Sequence, residues 1–318
     1  MNQVSVVMYH YVRPIKNSKY PNIKGLEVEL FRKQLEYFQD NYCVVTMEQV
    51  IDSIEKHTIL PPNAMLLTFD DGYKDHYQYV FPLLKEFHMQ GSFFVPSSVV
   101  ERNVMLDVNK IHYILACADI DYLVDRVYTL LDEYRKKGYN IENTDAIYKK
   151  IAVANRWDTE ETIFVKRLLQ TYLEETLRNN MVDQLFCEIV KENQVEFSKK
   201  LYLNMNEIIE MKNGGMYFGL HGEYHHWLNH LPKDKMRKDI ANSLIFFKDV
   251  IDKNYLAMNY PYGGYNEDVL EYCRLIGCKL GVTVESKIAD LEIDNPMLIP
   301  RFDTNDFPPM NILKQNSN

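Results

Sequence analysis

Met65-Leu66-Leu67-Thr68-Phe69-Asp70-Asp71-Gly72 sets two adjacent carboxylates where an apolar run ends. Met65, Leu66, Leu67 and Phe69 have the make-up of a short buried strand, and Gly72 with the polar residues after it that of a turn. Neighbouring residues on a strand face opposite ways. Where the backbone turns at the strand end, both carboxylates can reach one cleft, one to ligate a cation and the other to handle protons. The same letters also spell an ordinary Asp-Gly turn, so the choice between turn and site depends on what else the chain supplies.

Outward from this stretch, apolar spacing alternates between the two periods. Residues 4–8 read as a strand, 30–39 as a helix, 43–46 as a strand and 50–57 as a helix, all upstream. Downstream come a helix over 79–87 and a strand over 92–95. After residue 200 the rhythm resumes with helices at 208–212, 235–251 and 269–275 and strands at 216–220, 256–260 and 280–284. Repeated strand–helix units imply an α/β fold with a parallel sheet, either open and doubly wound or closed into a barrel. Residues 105–200 break the rhythm. They are rich in helix formers, hold almost no Gly or Pro, and predict helices at 111–118, 122–137, 144–154, 160–177 and 181–191. The division expected is therefore a body from 1–104 and 201–318 with a helical insertion at 105–200. The insertion reads as a packing annex or a homo-oligomer surface, with a lid or substrate-recognition role as the alternative.

A second polar cluster lies about 150 residues past the carboxylates, in Gly219-Leu220-His221-Gly222-Glu223-Tyr224-His225-His226-Trp227-Leu228. His221 and His225 stand four apart, so on a helical turn both imidazoles project from one face. Two neutral imidazoles and one carboxylate suit a divalent metal of borderline softness, with positions left for water. A zincin-type protease needs His-Glu-x-x-His. Gly222 stands where that Glu belongs, so the protease reading fails on spacing. Without the carboxylates, the cluster would read as a surface group of histidines that includes His226 and His230.

Composition describes an enzyme-sized chain. Its 318 residues suffice for one large α/β barrel or two smaller domains, and 46% of them are hydrophobic. A formal net charge of −9 argues against a nucleic-acid partner, which calls for a basic face. It also disfavours an anionic membrane surface. Five cysteines with no Cys-x-x-Cys pair read as reduced thiols. No stretch has the apolar length of a membrane span, and the first residues lack the basic and apolar regions of a signal peptide. The expectation is a cytoplasmic protein.

Taken in order, Thr68-Phe69-Asp70-Asp71-Gly72, His221-x-x-x-His225 and Asn259-Tyr260-Pro261-Tyr262-Gly263 resemble the motifs of the polysaccharide deacetylases, the NodB-homology group of carbohydrate esterase family four. Gly91-Ser92-Phe93-Phe94-Val95 resembles the strand that follows the aspartates in that group. Two departures accompany the likeness. The family's third motif begins with an Arg that holds the catalytic Asp, and here Asn259 or Tyr260 takes that place. The family's last motif, a Leu-x-Leu-x-His strand, is missing near the C-terminus. Val6-Val7-Met8-Tyr9-His10 has its pattern at the front, which is similar to the circularly permuted branch of poly-N-acetylglucosamine deacetylases. Arg301, in Leu298-Ile299-Pro300-Arg301-Phe302-Asp303, is the candidate for the displaced Arg.

The resemblance implies a distorted, incomplete (β/α) barrel of the NodB-homology type, with its site at the carboxyl ends of the strands. It also implies a metal-dependent N-deacetylase of an amino sugar carried in a saccharide, a glycolipid or a sugar nucleotide. Asp71, His221 and His225 would hold a divalent metal, zinc first, with cobalt or nickel as alternatives. Such a metal lowers the pKa of a bound water from ~16 toward ~7. Asp70 would accept the proton, Arg301 would hold Asp70, and the backbone N–H of Tyr262 would help hold the oxyanion. His10 would protonate the departing amine, while Met8 and Trp227 wall the acetyl pocket. A deformylase or O-deacetylase would use the same groups. A different class of reading is an inactive carbohydrate-binding or scaffolding protein with this fold, which has no need to keep metal ligands and proton carriers together. No Gly-x-x-x-x-Gly-Lys or Gly-x-Gly-x-x-Gly loop points to a nucleotide-driven reaction.

Overall fold

The computed structural model describes residues 2–155 and 158–315. By contact density the chain forms two compact units. One runs up to Pro14, over Gly25–Val104 and from Ser198 on; the other comprises Ile15–Lys24 and Met105–Phe197. Ile15–Lys24 thus goes with the helical segment, which nothing in its sequence announces.

The first unit is built on nine strands: β1 (Gln3–Tyr9), β2 (Cys43–Val44), β3 (Ala64–Asp70), β4 (Gly91–Val95), β5 (Tyr217–Leu220), β6 (Ala257–Asn259), β7 (Leu280–Val282), β8 (Ala289–Asp290) and β9 (Phe302–Asp303). They form one curled mixed sheet in the order β7-β6-β5-β4-β3-β1-β8, with β2 on β3 and β9 on β1. This is an incomplete (β/α) barrel of the NodB type. All pairings are parallel except β1 with β8, so the carboxyl ends of the principal strands share one rim. Near that rim, Ile299 bridges to Val282 at the end of β7, and Phe302 pairs with Val7 of β1. The segment from 299 to 303 therefore touches strands far apart in the sheet order.

Burial on both faces, at every position of β3, β4 and β5, explains why these strands are mostly apolar. On one face Tyr9, Phe69, Phe93 and Phe218 stand in register on β1, β3, β4 and β5. Their rings stack in sequence at 4.9, 4.8 and 5.6 Å. Cross-strand aromatic pairs are worth roughly 0.2–1 kcal/mol each, and this ladder holds the four strands in register near the rim. The other face carries Val4, Val6, Leu66, Phe94, Ala257, Leu280 and Val282 in one apolar cluster. It ends at the rim with Thr68 and Asp70.

Helices Val28–Asn41 and Met47–Lys56, the latter with a Thr46–Gln49 capping box, lie close to the predicted 30–39 and 50–57. The helix predicted over 79–87 begins earlier, as a π-helical turn at His76–Val80 that runs into Phe81–Glu86.

The second unit is helical: Asp107–Cys117, Ile120–Lys136, Thr144–Ile151, Glu160–Arg167 and Glu175–Leu185. Asp119, Asn143, Thr159 and Glu174 each cap the helix that follows with a side-chain oxygen. The cap at Glu174 corrects the expectation of one helix over 160–177. The chain leaves the helical path at Leu173, and residues 175–177 start the next helix. Tyr20 packs edge-on against Tyr113 and Phe197, which ties Ile15–Lys24 into this unit.

All five cysteines are free; Cys273 and Cys278 are buried. Among the described residues, no helix is long and apolar enough to cross a membrane.

Gly72 holds the turn after β3 in the left-handed region (φ +68°), and a Cβ there would lie 2.4 Å from Val95 Cγ1. Backbone strain and overpacking each cost about 1–3 kcal/mol, so Gly72→Ala should lose about 2–4 kcal/mol in urea unfolding. A loss below ~0.5 kcal/mol would show that this turn is not constrained as described.

Candidate active site

Asp70 is the last residue of β3, and Asp71 follows with φ +71°. That backbone swing turns two neighbours toward one cleft instead of opposite faces, and both side chains are almost fully buried. Each carboxylate has its own partners.

Asp70 meets Arg301, whose Nη1 donates to Asp70 Oδ1 at 2.9 Å and to Thr68 Oγ1 at 3.1 Å. The same guanidinium donates from Nε to the Thr283 carbonyl at 2.8 Å and from Nη2 to Asn259 Oδ1 at 3.0 Å. Arg301 is itself buried, and five donors in a rigid fork suit this spread of acceptors. Burial pushes the Asp70 pKa up, but the neighbouring charges, Arg301 first among them, outweigh it and hold the carboxyl below its ordinary range. Asn259, which with Tyr260 stands where the sequence pattern calls for an Arg, receives the guanidinium that arrives from residue 301.

Asp71 is gripped on one oxygen only. The Tyr73 hydroxyl donates to its Oδ2 at 2.5 Å. Burial, then the Asp71 charge, hold the Tyr73 phenol well above its usual pKa, so it stays a donor. Oδ1 has no aligned hydrogen bond, yet it lies 3.4 Å from His221 Nε2 and 3.2 Å from His225 Nε2. One ligand atom from each of these three residues lies within 4.8 Å of the others.

The donor set can be tested against a metal. Two ligands at 2.0–2.1 Å from one tetrahedral ion stand roughly 3.4 Å apart, close to both carboxylate–imidazole separations. His221 Nδ1 is 2.8 Å from the Asn259 carbonyl. Donation there fixes the tautomer and leaves Nε2, buried and without a hydrogen bond, as a bare lone pair. Burial lowers the His225 pKa against the pull of Asp71, which favours the neutral ring a metal needs. The residues fit a divalent cation.

The histidines do not lie on a helical turn as their spacing suggests. His221 to Trp227 is an irregular loop after β5. Gly222 (φ +71°) and His225 (φ +57°) both adopt left-handed backbone and fold the loop back. Asp239 pins it, accepting from the backbone N–H groups of Glu223 and Tyr224 at 2.8 and 3.2 Å. A Cβ on Gly222 would lie 2.5 Å from Asp239 Oδ1. Burial lifts the Asp239 carboxyl to about 6. His226 Nδ1 lies 3.6 Å from Asp239. Glu223 is taken up by Arg102 at 2.7 Å and Asn242 at 2.6 Å, so it is no free base.

His10, directly after β1, reaches the cleft: its Nε2 lies 4.0 Å from Asp70 Oδ2, and its side chain is 42% exposed. The pairing of Tyr9 with Phe69 brings it there. His76 lies 2.9 Å from the His10 carbonyl through Nε2, and burial drops the His76 pKa to about 4. The His76 ring is thus neutral near pH 7 and can donate there.

The Tyr262 ring packs edge-on to His225 at 4.5 Å and stacks on Trp227 at 4.6 Å. Its backbone is left-handed (φ +58°) inside the Pro-Tyr-Gly turn. His230 also stacks on Trp227, at 5.3 Å. Met8 pairs in register with Thr68, which places it on the Arg301 face of the sheet. The sequence reading passed over Tyr73, His76 and Asp239. Tyr73 stands two residues past Asp71, but nothing in that spacing signals a contact with it.

Residues 57–281 match the polysaccharide deacetylase family. YxkH of Bacillus subtilis (strain 168), named for the same family, is 26% identical over 94 residues, or 29% of this chain and 32% of that protein. The match thus spans about a third of this relative's length. Among solved structures, the Streptococcus pyogenes deacetylase PplD in complex with acetate superposes with a TM-score of 0.62 at 17% identity, covering 98% of this chain and 97% of that one. The de-N-acetylase from Aggregatibacter actinomycetemcomitans gives 0.56 at 16%, with coverages of 98% and 99%. IcaB from Ammonifex degensii gives 0.55 at 18%, with 98% and 97%. At these identities the structural likeness carries the fold. The family match covers more than two thirds of the chain, which belongs to the polysaccharide deacetylase family.

Removing the cation beside a buried carboxylate costs about 3–5 kcal/mol. Arg301→Met should lose that much in chemical denaturation, and Asp70→Asn in the same chain should recover part of it. Additive losses would mean that the pair is not coupled as its geometry implies.

Proposed function

We propose that this family member is a metal-dependent hydrolase that removes the N-acetyl group from an amino sugar in a saccharide, glycolipid or sugar nucleotide. One observation carries the reading: a buried carboxylate oxygen and two imidazole nitrogens face one another without aligned hydrogen bonds, beside a second carboxylate paired to an arginine. In this reading Asp71, His221 and His225 hold a divalent cation, zinc first, with cobalt or nickel able to replace it. When bound, the cation supplies Lewis acidity, acidifying a water and polarising the acyl carbonyl.

The chain's own groups perform the proton transfers. Asp70, kept ionised by Arg301, accepts the proton that water releases as its oxygen bonds to the acyl carbon. The backbone N–H of Tyr262 donates to the oxyanion, a contact worth about 3–4 kcal/mol when well placed. The C–N bond then breaks, and His10 delivers a proton to the departing amine, which leaves acetate and the free amino sugar. The fixed edge of Trp227 and the Met8 side chain wall the space for the acetyl methyl. Trp227 is itself held by stacking on Tyr262 and His230, which fixes its place beside that space.

Metal analysis together with acetate release from nucleotide-linked, lipid-linked and oligomeric N-acetylated amino sugars tests this reading. Chelation should abolish release, and zinc should restore it. His221→Ala and His225→Ala should lose the metal, His226→Ala should keep most of it, and Asp70→Asn should keep the metal while turnover falls by orders of magnitude. Near wild-type turnover in Asp70→Asn would sink the assignment of the base, and release of formate from N-formyl analogues in preference to acetate would move the acyl specificity.

Loss of a general acid costs ~10²–10⁴-fold. His10→Ala should slow amide substrates by that factor with metal content unchanged, and slow an activated ester far less because its leaving group needs no proton. Equal losses on the two substrates would leave His10 without the acid role.

A further inference from the structure

We infer that Tyr73 is a positioning residue that fixes Asp71 as a single-oxygen ligand and thereby sets the affinity of the site for its cation. The inference rests on the metal reading above and extends it to a residue outside the ligand set. Asp71 sits on left-handed backbone past the strand end, where the regular alternation of a strand no longer aims its side chain. Its two oxygens are nonetheless fully differentiated. Oδ2 takes the Tyr73 hydroxyl at 2.5 Å, while Oδ1 is buried without a hydrogen bond and faces both imidazole nitrogens.

The phenol can act as a clamp because its ring is itself held. Tyr73 stacks on Tyr11 with centroids 4.0 Å apart and lies near-parallel to Tyr202 at 6.1 Å. Its backbone bridges to Tyr202, and the Leu203 N–H donates to the Gly72 carbonyl at 2.9 Å. The hydroxyl thus comes from a ring fixed by two neighbours and by the strand-like contact beneath it. Without it, the Asp71 carboxylate is free to turn about its last torsion, to offer both oxygens to the cation, or to engage an imidazole N–H and spoil the lone pair needed there. Partners that hold a ligand from the outer sphere typically account for ~10–100-fold in metal affinity.

The test compares full-length wild type with Tyr73→Phe, which keeps the ring and removes only the hydroxyl. Zn²⁺ dissociation constants are measured by chelator competition, and visible spectra are recorded for the Co²⁺-substituted proteins. Circular dichroism of the metal-free proteins establishes that both are folded. The expected result is ~10–100-fold weaker Zn²⁺ binding in Tyr73→Phe, with altered Co²⁺ bands as the carboxylate changes its mode of ligation. A dissociation constant within twofold of wild type with an unchanged spectrum would overturn the inference and reduce Tyr73 to a packing residue. Wild-type protein that binds neither ion would instead remove the metal reading on which it rests.

Discussion

Burying two adjacent carboxylates at the end of one strand is the constraint around which this rim is organised. Each buried ion carries a desolvation penalty of several kcal/mol unless a charge or a set of donors compensates it. The two solutions differ. Asp70 is met by a buried guanidinium, which keeps it ionised. Asp71 is met by a phenol on one oxygen and by two imidazoles facing the other. Neighbours with equal intrinsic chemistry thus acquire different environments, and that difference underlies the proposed division of labour between base and ligand. The left-handed turn at Asp71 and Gly72 is what allows both to enter the same cleft.

The guanidinium reaches Asp70 through the topology of the sheet. β1 lies inside the order, between β3 and the short strands β8 and β9, so the last part of the chain has to come round to it. Residues 299 to 303 make that passage, with Ile299 against Val282 and Phe302 against Val7. Arg301 lies between those contacts and extends to Thr68, Asp70, Thr283 and Asn259. In the family pattern the arginine starts the third motif. In this chain Asn259 or Tyr260 holds that position, and Asn259 accepts from an arginine 42 residues away. A charge beside the carboxylate is the physical requirement, and the barrel lets it be supplied from either point.

Legibility in the sequence followed the range of the interactions. The strand that ends at Asp70 was readable because its apolar run and its glycine turn are local signals. The parallel sheet followed from the alternation of periods, whereas barrel against open sheet was chosen only by the family resemblance. His10 could be placed only through its motif, since nothing local ties residue 10 to residue 70. Tyr73 and Asp239 were passed over for a different reason. Their partners depend on left-handed backbone at Asp71 and Gly222, and a tyrosine after a glycine or an aspartate inside a helix carries no mark of such a contact. Contact density groups Ile15–Lys24 with the helical unit, and an aromatic contact such as Tyr20 with Tyr113 leaves no periodicity by which the sequence could show it.

The histidine pair shows how a spacing rule can select residues by way of a geometry that is absent. Four residues apart suggests one face of a helical turn, and His221 and His225 do converge, with ring centroids 4.7 Å apart. The chain between them is a loop, however, and convergence depends on two left-handed residues and on Asp239 accepting from the next two backbone N–H groups. A helix would offer the same separation with its own hydrogen bonds satisfied, and both rings would project from an exposed or packed face. The loop instead leaves the Asn259 carbonyl free to take His221 Nδ1, and it stands the Tyr262 ring against His225. The irregular backbone therefore does what a helical turn could not: it sets each ring against a partner from β6 or the Pro-Tyr-Gly turn while turning both Nε2 atoms toward Asp71.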